Sequence, residues 1–415
     1  MAHKTLIGGT AYDIAGGKTL VDGTSYSVKN GKVLIDGTAY TISFVLPPAL
    51  MTLWSYATPN SYGNSQIFSI TYAEGFWVAG GTYYDGSTYF ARIAYATSLA
   101  GPWTIKDLWE GSSSAYVRDI AYANGYWVAA GKQKGSTVNH YARIAYATTP
   151  DSTWTTKDVW SSNSSCYCMC VAYGNGYWVV GGQYSSGGNY YGAIAYSTSP
   201  GGTWTKKNLW GDTTDVTAST YNYVNCITYA NSRWVAGGAY YYSSTCHARI
   251  GSATSPSGTW SFYTIWSGTS SGGRGNKINS VTYANGYWAV GGVERTSATP
   301  YKANIAYSTS LGGTWTKVTL WSGNSSCSID CITYANGYWA CCGENKGTSA
   351  RIAYSDAIDG TWTQSSIYVG ISEQCRCILH ENGYWVVAGG HNVSTSGLNN
   401  AVVGYAGSLP DLTDI

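Results

Sequence analysis

One ten-residue phrase returns seven times along this chain. It reads YAEGFWVAGG from Tyr72, YANGYWVAAG from Tyr122, YGNGYWVVGG from Tyr173, YANSRWVAGG from Tyr229, YANGYWAVGG from Tyr283, YANGYWACCG from Tyr334 and HENGYWVVAG from His380. Its tryptophans, Trp77, Trp127, Trp178, Trp234, Trp288, Trp339 and Trp385, fall roughly 50 residues apart. A unit of that length buries its apolar faces only by stacking against copies of itself, so the repeat constrains the fold more than any other feature.

Each repeat contains four strand-like runs, in the first copy FSITYA, FWVAGG, ARIAYAT and WTIKDLW. The dipeptides EG and NG between the first two runs predict a tight hairpin, and the second glycine of the GG pair predicts close backbone approach. Four antiparallel strands repeated about every 50 residues predict an all-β, seven-bladed β-propeller. No amphipathic helix is expected, which excludes a βα-barrel. Trp109, Trp160, Trp210, Trp266 and Trp321 close the fourth strands, and Tyr368 replaces tryptophan in the sixth. The seventh repeat, ending AVVGYAGSLPDLTDI, lacks a fourth strand, and the otherwise isolated Trp54 of MTLW supplies one. A strand around residues 49–54 therefore completes the last blade and removes its open edge.

The segments TSPGGTW from Thr198 and TSLGGTW from Thr309 resemble the Asp-box turn of sialidase-like propellers, Ser-x-Asp-x-Gly-x-Thr-Trp. The Asp position holds Ser98, Thr149, Ser199, Ser255, Ser310 or Ala357, so the carboxylate is missing throughout. The resemblance implies blade architecture and not activity, because that box is a structural turn remote from the active site.

Residues 1–45 follow a different rule, a period of 14: KTLIGGTAYDIAGG, KTLVDGTSYSVKNG and KVLIDGTAYTISFV. Each unit reads as two β-runs around GG or DG. So short a module has little core of its own, which predicts anchoring or homo-oligomerisation, with the propeller occupying 46–415. This opening resembles the N-terminal segments of tailed-bacteriophage structural proteins, where a short β-repeat precedes a variable distal domain. The resemblance implies a virion component, a tail fibre or appendage, assembled in the host cytoplasm and contacting other virion proteins through residues 1–45. The N-terminal sequence has no apolar run of the secretory kind, and no stretch suits a transmembrane helix.

With 11% charged residues and a net charge of +2, the chain lacks a footprint for nucleic acid or anionic membrane. Its eleven cysteines include Cys170, Cys226, Cys331 and Cys377 at one repeat position, where other copies have Ser69, Asp119 and Ser280. Interchange with serine predicts a small packed site and not a disulfide. Cys166, Cys168 and Cys170 alternate as if on one strand face, but nothing completes a metal-ligand spacing. No metal or cofactor is expected.

Loops on one side of the disc are nearly uniform, whereas those between second and third strands, and between blades, vary and are rich in Tyr, Ser, Gly and Asn. That contrast predicts a scaffold with one recognition face, and its residue mixture suits adaptable polar recognition, with carbohydrate the natural partner. Candidate ligand-binding residues there are Tyr83, Tyr84, Tyr89, Tyr116, His140, Tyr190, Tyr191, Tyr223, Tyr240, Tyr241 and Tyr242. The residue preceding the small position of each first strand is predicted beside the central channel: Phe68, Arg118, Met169, Asn225, Asn279, Asp330 and Arg376. Arg118, Asn225, Asn279, Asp330 and Arg376 complete the candidate set.

Glycoside hydrolysis needs two carboxyls about 5–9 Å apart. Asp85, Asp119, Asp212, Asp215, Glu294, Asp330, Glu344 and Glu373 are scattered over the blades and form no catalytic motif. Arg92, Arg143, Arg249 and Arg351 share one third-strand position and therefore radiate outward without converging. A host-surface glycan or receptor binder is the favoured reading. The alternatives are a purely structural virion decoration protein and a polysaccharide-degrading appendage.

Overall fold

In the computed structural model the repeat phrase forms a two-strand hairpin in each of seven four-stranded antiparallel sheets. The structure describes residues 48–55, 65–134, 139–162, 165–187, 189–211, 222–242, 245–269, 275–295, 300–323, 326–345, 349–369, 374–392 and 399–415, together with the backbone of six short strands before residue 48. The first blade runs Gln66–Ala73, Phe76–Tyr84, Tyr89–Ala96 and Thr104–Gly111. The hairpin turns have positive φ at both central residues, for example 48° at Asn124 and 79° at Gly125. This is the type I′ geometry that matches strand twist, and Asn and Gly tolerate it best.

The second-strand tryptophans are all buried, and the blade interfaces are apolar. Between the first two blades, Val78 and Ile93 of one pack against Val117, Ile120 and Trp127 of the next. The fourth-strand tryptophans add polar stitches: Trp109 Nε1 donates to Lys132 O at 2.8 Å and Trp160 Nε1 to Gln183 O at 3.0 Å, each in the following blade.

Blade 7 consists of Gln374–Glu381, Tyr384–Asn392, Asn399–Ala406 and Ala49–Ser55. Trp54 pairs with Ala401 beside a register shift, as Trp109 pairs with Ala91 in blade 1. Its Nε1 donates to Thr82 O of blade 1 at 2.9 Å, so the ring closes with the bond that Trp109, Trp160, Trp210, Trp266 and Trp321 make to their next blades. One element escaped the sequence reading. A short 3-10 helix, Pro410–Asp414, places Leu409 and Leu412 in the core of the last two blades.

The Asp-box-like turns are structural here. Gly202 N donates to Ser199 O at 3.1 Å and Trp204 Nε1 to Pro200 O at 3.1 Å, a pattern repeated at Trp103, Trp154, Trp260, Trp315 and Trp362. Turn carbonyls two residues after the Asp position meet a lysine of the preceding blade: Lys157 Nζ donates to Gly201 O at 2.8 Å and Lys207 Nζ to Ser257 O at 2.9 Å.

Contacts divide the chain into 1–47 and 48–415. Within the first unit His3–Ile7, Thr10–Ala15, Lys18–Val21 and Thr24–Ser27 form one antiparallel sheet, and Lys32–Ile35 pairs with Thr38–Thr41.

Candidate functional site

A β-bulge builds the centre of the disc. In every first strand the pairing skips one residue, for example between Ile67 and Ser69 and between Val117 and Asp119. The skipped residues are Phe68, Arg118, Met169, Asn225, Asn279, Asp330 and Arg376, and all seven line a central cavity of about 220 Å³. The bulge drives the strand's backbone against its neighbour. A Cβ at Gly81, Gly131, Gly182, Gly238, Gly292 or Gly343 would overlap the carbonyl oxygen of Gln66, Tyr116, Tyr167, Tyr223, Lys277 or Ser328 respectively, which is why the repeat needs its second glycine.

The bulge also corrects the reading of the cysteine run. Cys166 and Cys168 pack between blades 2 and 3, while Cys170 joins the cluster toward blade 4, so the three thiols do not share a face. The small position just after the bulge is a polar stitch as well as a packed site. Ile332 N donates to Ser280 Oγ at 3.1 Å, Cys331 Sγ to Ile378 O at 3.5 Å, and Cys377 Sγ to Ile70 O at 4.0 Å, each in the next blade around the ring. Serine and cysteine exchange there because either supplies a short polar side chain. Asp119 does the same with its carboxylate, which accepts Ser69 Oγ at 2.9 Å, Ile120 N at 2.9 Å and Val171 N at 2.8 Å. Burial raises its pKa to about 6 against those hydrogen bonds.

Above this ring lies a chain of polar contacts. Asn225 Nδ2 donates to Asn279 Oδ1 at 3.1 Å and Asn279 Nδ2 to Asp330 Oδ1 at 3.0 Å. Arg376 Nη1 meets Asp330 Oδ2 at 2.6 Å, and its Nη2 meets Gln374 Oε1 at 2.6 Å and Glu344 Oε2 at 3.7 Å. Burial opposes both charges of the Asp330–Arg376 pair, but mutual attraction wins: the Asp330 carboxyl is held low and the Arg376 guanidinium high. Arg118 is instead stacked on Phe68, 4.4 Å from the ring centre. Lys277 shares the cavity; sequence reasoning missed it, although its place two residues before the bulge matches Tyr116 and Tyr223.

The structure thus brings Arg118, Asn225, Asn279, Asp330 and Arg376 together at the channel. Tyr116 adjoins them, its ring 5.8 Å from Phe68, and burial raises its pKa, so it stays a phenol. Tyr223 occupies the matching place in blade 4. The other candidates stay on separate blades. Tyr83 lies under Arg92, at 3.7 Å, and Tyr84 packs on Tyr89 at 4.4 Å. Tyr191 stacks on Tyr184, and the Tyr190 carbonyl accepts Asn222 Nδ2 at 3.1 Å. Tyr240 stacks with Tyr242 at 6.1 Å, and the neighbouring Tyr241 N–H donates to Asn222 Oδ1 at 2.8 Å. His140 is pushed down to about 4 by burial and by Lys132 and Lys134, which leaves it neutral.

Third-strand arginines stay within their own blades, Arg92 on Asp107 and Arg143 on Asp158, both at 2.6 Å, and Arg249 over Tyr240 at 3.8 Å. The carboxylates are likewise committed. Asp85 caps its own turn, Glu294 pairs with Lys317 at 2.8 Å, and Asp330 and Glu344 share Arg376. Asp212, Asp215 and Glu373, with the variable linkers over 212–221 and 270–274, lie outside the described residues.

No family model matches the chain, and no curated protein matches its sequence. Solved propellers match its shape. YCF48 bound to the D1 peptide aligns over 88% of this chain and 96% of its own at 12% identity, TM-score 0.52. The polysaccharide lyase Uly1 aligns over 84% and 91% at 10% identity, TM-score 0.51. Trypanosoma rangeli sialidase in complex with sialic acid aligns over 88% of this chain at 12% identity, TM-score 0.46. The chain spans about three-fifths of that sialidase, 59% of its length. At such identities the matches establish the propeller fold alone.

Proposed function

We propose that this protein binds a glycan on a host cell surface at the mouth of its central channel, as a receptor-binding component of a bacteriophage virion. The observation that carries the reading is the convergence of seven bulge residues of five different types on one cavity, beside a ring of Ser, Cys and Asp only. A structural plug would have no use for such diversity, whereas ligand recognition does. Binding is favoured over hydrolysis because the described candidate carboxylates, Asp85, Asp119, Glu294, Asp330 and Glu344, are already paired or hydrogen-bonded. The virion assignment rests on the period-14 opening.

The test is a glycan array, including host cell-wall polysaccharides, probed with the full chain, with Asn279→Ala, and with Tyr240, Tyr241 and Tyr242 all changed to Ala. Loss of binding in Asn279→Ala alone supports the channel, whereas loss only in the triple variant moves the site to the blade 4 hairpin. Silence on the array and on intact host cells overturns the reading in favour of a structural virion part. Release of shortened product favours a degrading appendage.

A further inference from the structure

The channel contains two cations that no carboxylate bonds directly. Among the described residues, Arg118 and Lys277 form no salt bridge and no hydrogen bond, while both line the cavity. Arg376, by contrast, takes the charges of Asp330 and Glu344. Burial pulls Arg118 down first and repulsion from Arg376 adds to it, outweighing the opposite pulls of Tyr116, Asp330 and Asp119. Lys277 is also held down by burial, which outweighs Asp330, and Arg376 and Arg118 repel it further. Two half-buried cations that line one cavity without a salt bridge or hydrogen bond leave room for an anion that arrives from outside.

We infer that the channel mouth seats an oxyanion, a carboxylate or sulfate carried by the glycan of the proposed function, between Arg118 and Lys277. This deepens that reading and rests on it. The two side chains are suited to different tasks. Phe68 supports the plane of the Arg118 guanidinium, leaving its N–H edges available for two parallel bonds to an oxyanion. Lys277 supplies a point charge from blade 5. The ring of Phe68, edge-on to Tyr116, provides an apolar surface beside the cations, which suits a sugar-borne group better than a bare ion.

Calorimetric titration of the full chain with sodium glucuronate, glucose 6-sulfate, glucose and sodium sulfate tests this. At least one charged sugar is expected to bind about tenfold or more tighter than glucose, with affinity that falls as salt is raised. Arg118→Gln combined with Lys277→Gln is expected to lose about tenfold or more of that affinity. Arg118→Lys should keep the salt dependence while losing part of the affinity. Circular dichroism and melting temperature check the fold of each variant, and Lys277→Gln alone serves if the double variant does not fold.

Equal affinity for glucose and both charged sugars overturns the inference, as does native-like glucuronate binding by the double variant. If a neutral glycan is positive on the array while the charged sugars are silent, the inference fails and the proposed function stands. Sodium sulfate binding as tightly as glucose 6-sulfate overturns the assignment to a sugar-borne group.

Discussion

Two adjacent positions of the first strand face the same channel under different constraints. The ring of Ser69, Asp119, Cys170, Cys226, Ser280, Cys331 and Cys377 is chemically narrow because each member must fit against a neighbouring blade, and those with resolved bonds reach its backbone. The ring one residue earlier runs from Phe68 through Met169 to Arg376, since the bulge turns each member toward the cavity, where only some, such as Asn225 and Asn279 donating to Ile278 O and Ile329 O at 2.9 Å, also bond the next blade. A single skipped pairing thus separates a chemically narrow ring from one whose residues vary widely. Both arise from one backbone irregularity repeated seven times.

Three experiments set that difference against the closure of the whole ring. The largest effect is expected from Trp54→Ala, which empties a buried site and removes the bond to Thr82. A loss of about 3–5 kcal/mol is expected, read from denaturant unfolding. Next is the pH dependence carried by Asp119. Its folded pKa of about 6 lies above the ordinary 3.8, so the folded chain retains a proton that the unfolded chain releases between those values. Stability should therefore rise relative to Asp119→Ser as pH falls from 7 to 4.5, by about 2 kcal/mol, in parallel melts. A flat difference would mean that Asp119 is no more buried than a surface carboxylate. The smallest effects compare the two rings directly. Ser280→Ala should cost about 1–2 kcal/mol and Ser280→Cys much less. Met169→Ala, on the open ring, should stay within about 0.5 kcal/mol. Equal costs for Ser280→Ala and Met169→Ala would erase the distinction.

Most of the fold was legible because the hairpin phrase, the Trp positions and the glycines each report one local requirement, repeated seven times. Trp54 alone located the closing strand, since its environment had six precedents. The bulge was not legible: Cys166, Cys168 and Cys170 alternate like an ordinary strand, and an inserted residue leaves no mark on a period of two. The channel position was nevertheless visible as variation beside uniformity. Lys277 was missed because three of its six counterparts, Tyr116, Tyr167 and Tyr223, are tyrosines, which read as generic β-residues. The hairpin tyrosines were grouped by composition, and composition carries no information on which blades lie near one another.

Closure by Trp54 also has a cost in time. Its strand leaves the ribosome first among the propeller strands, whereas its partner Ala401 follows about 350 residues later, tens of seconds at ordinary translation speed. Throughout that interval LMTLW is an apolar strand with no edge to join. The nascent chain must therefore carry a sticky segment until its final blade arrives, which makes co-translational shielding of residues 49–55 a condition of high yield.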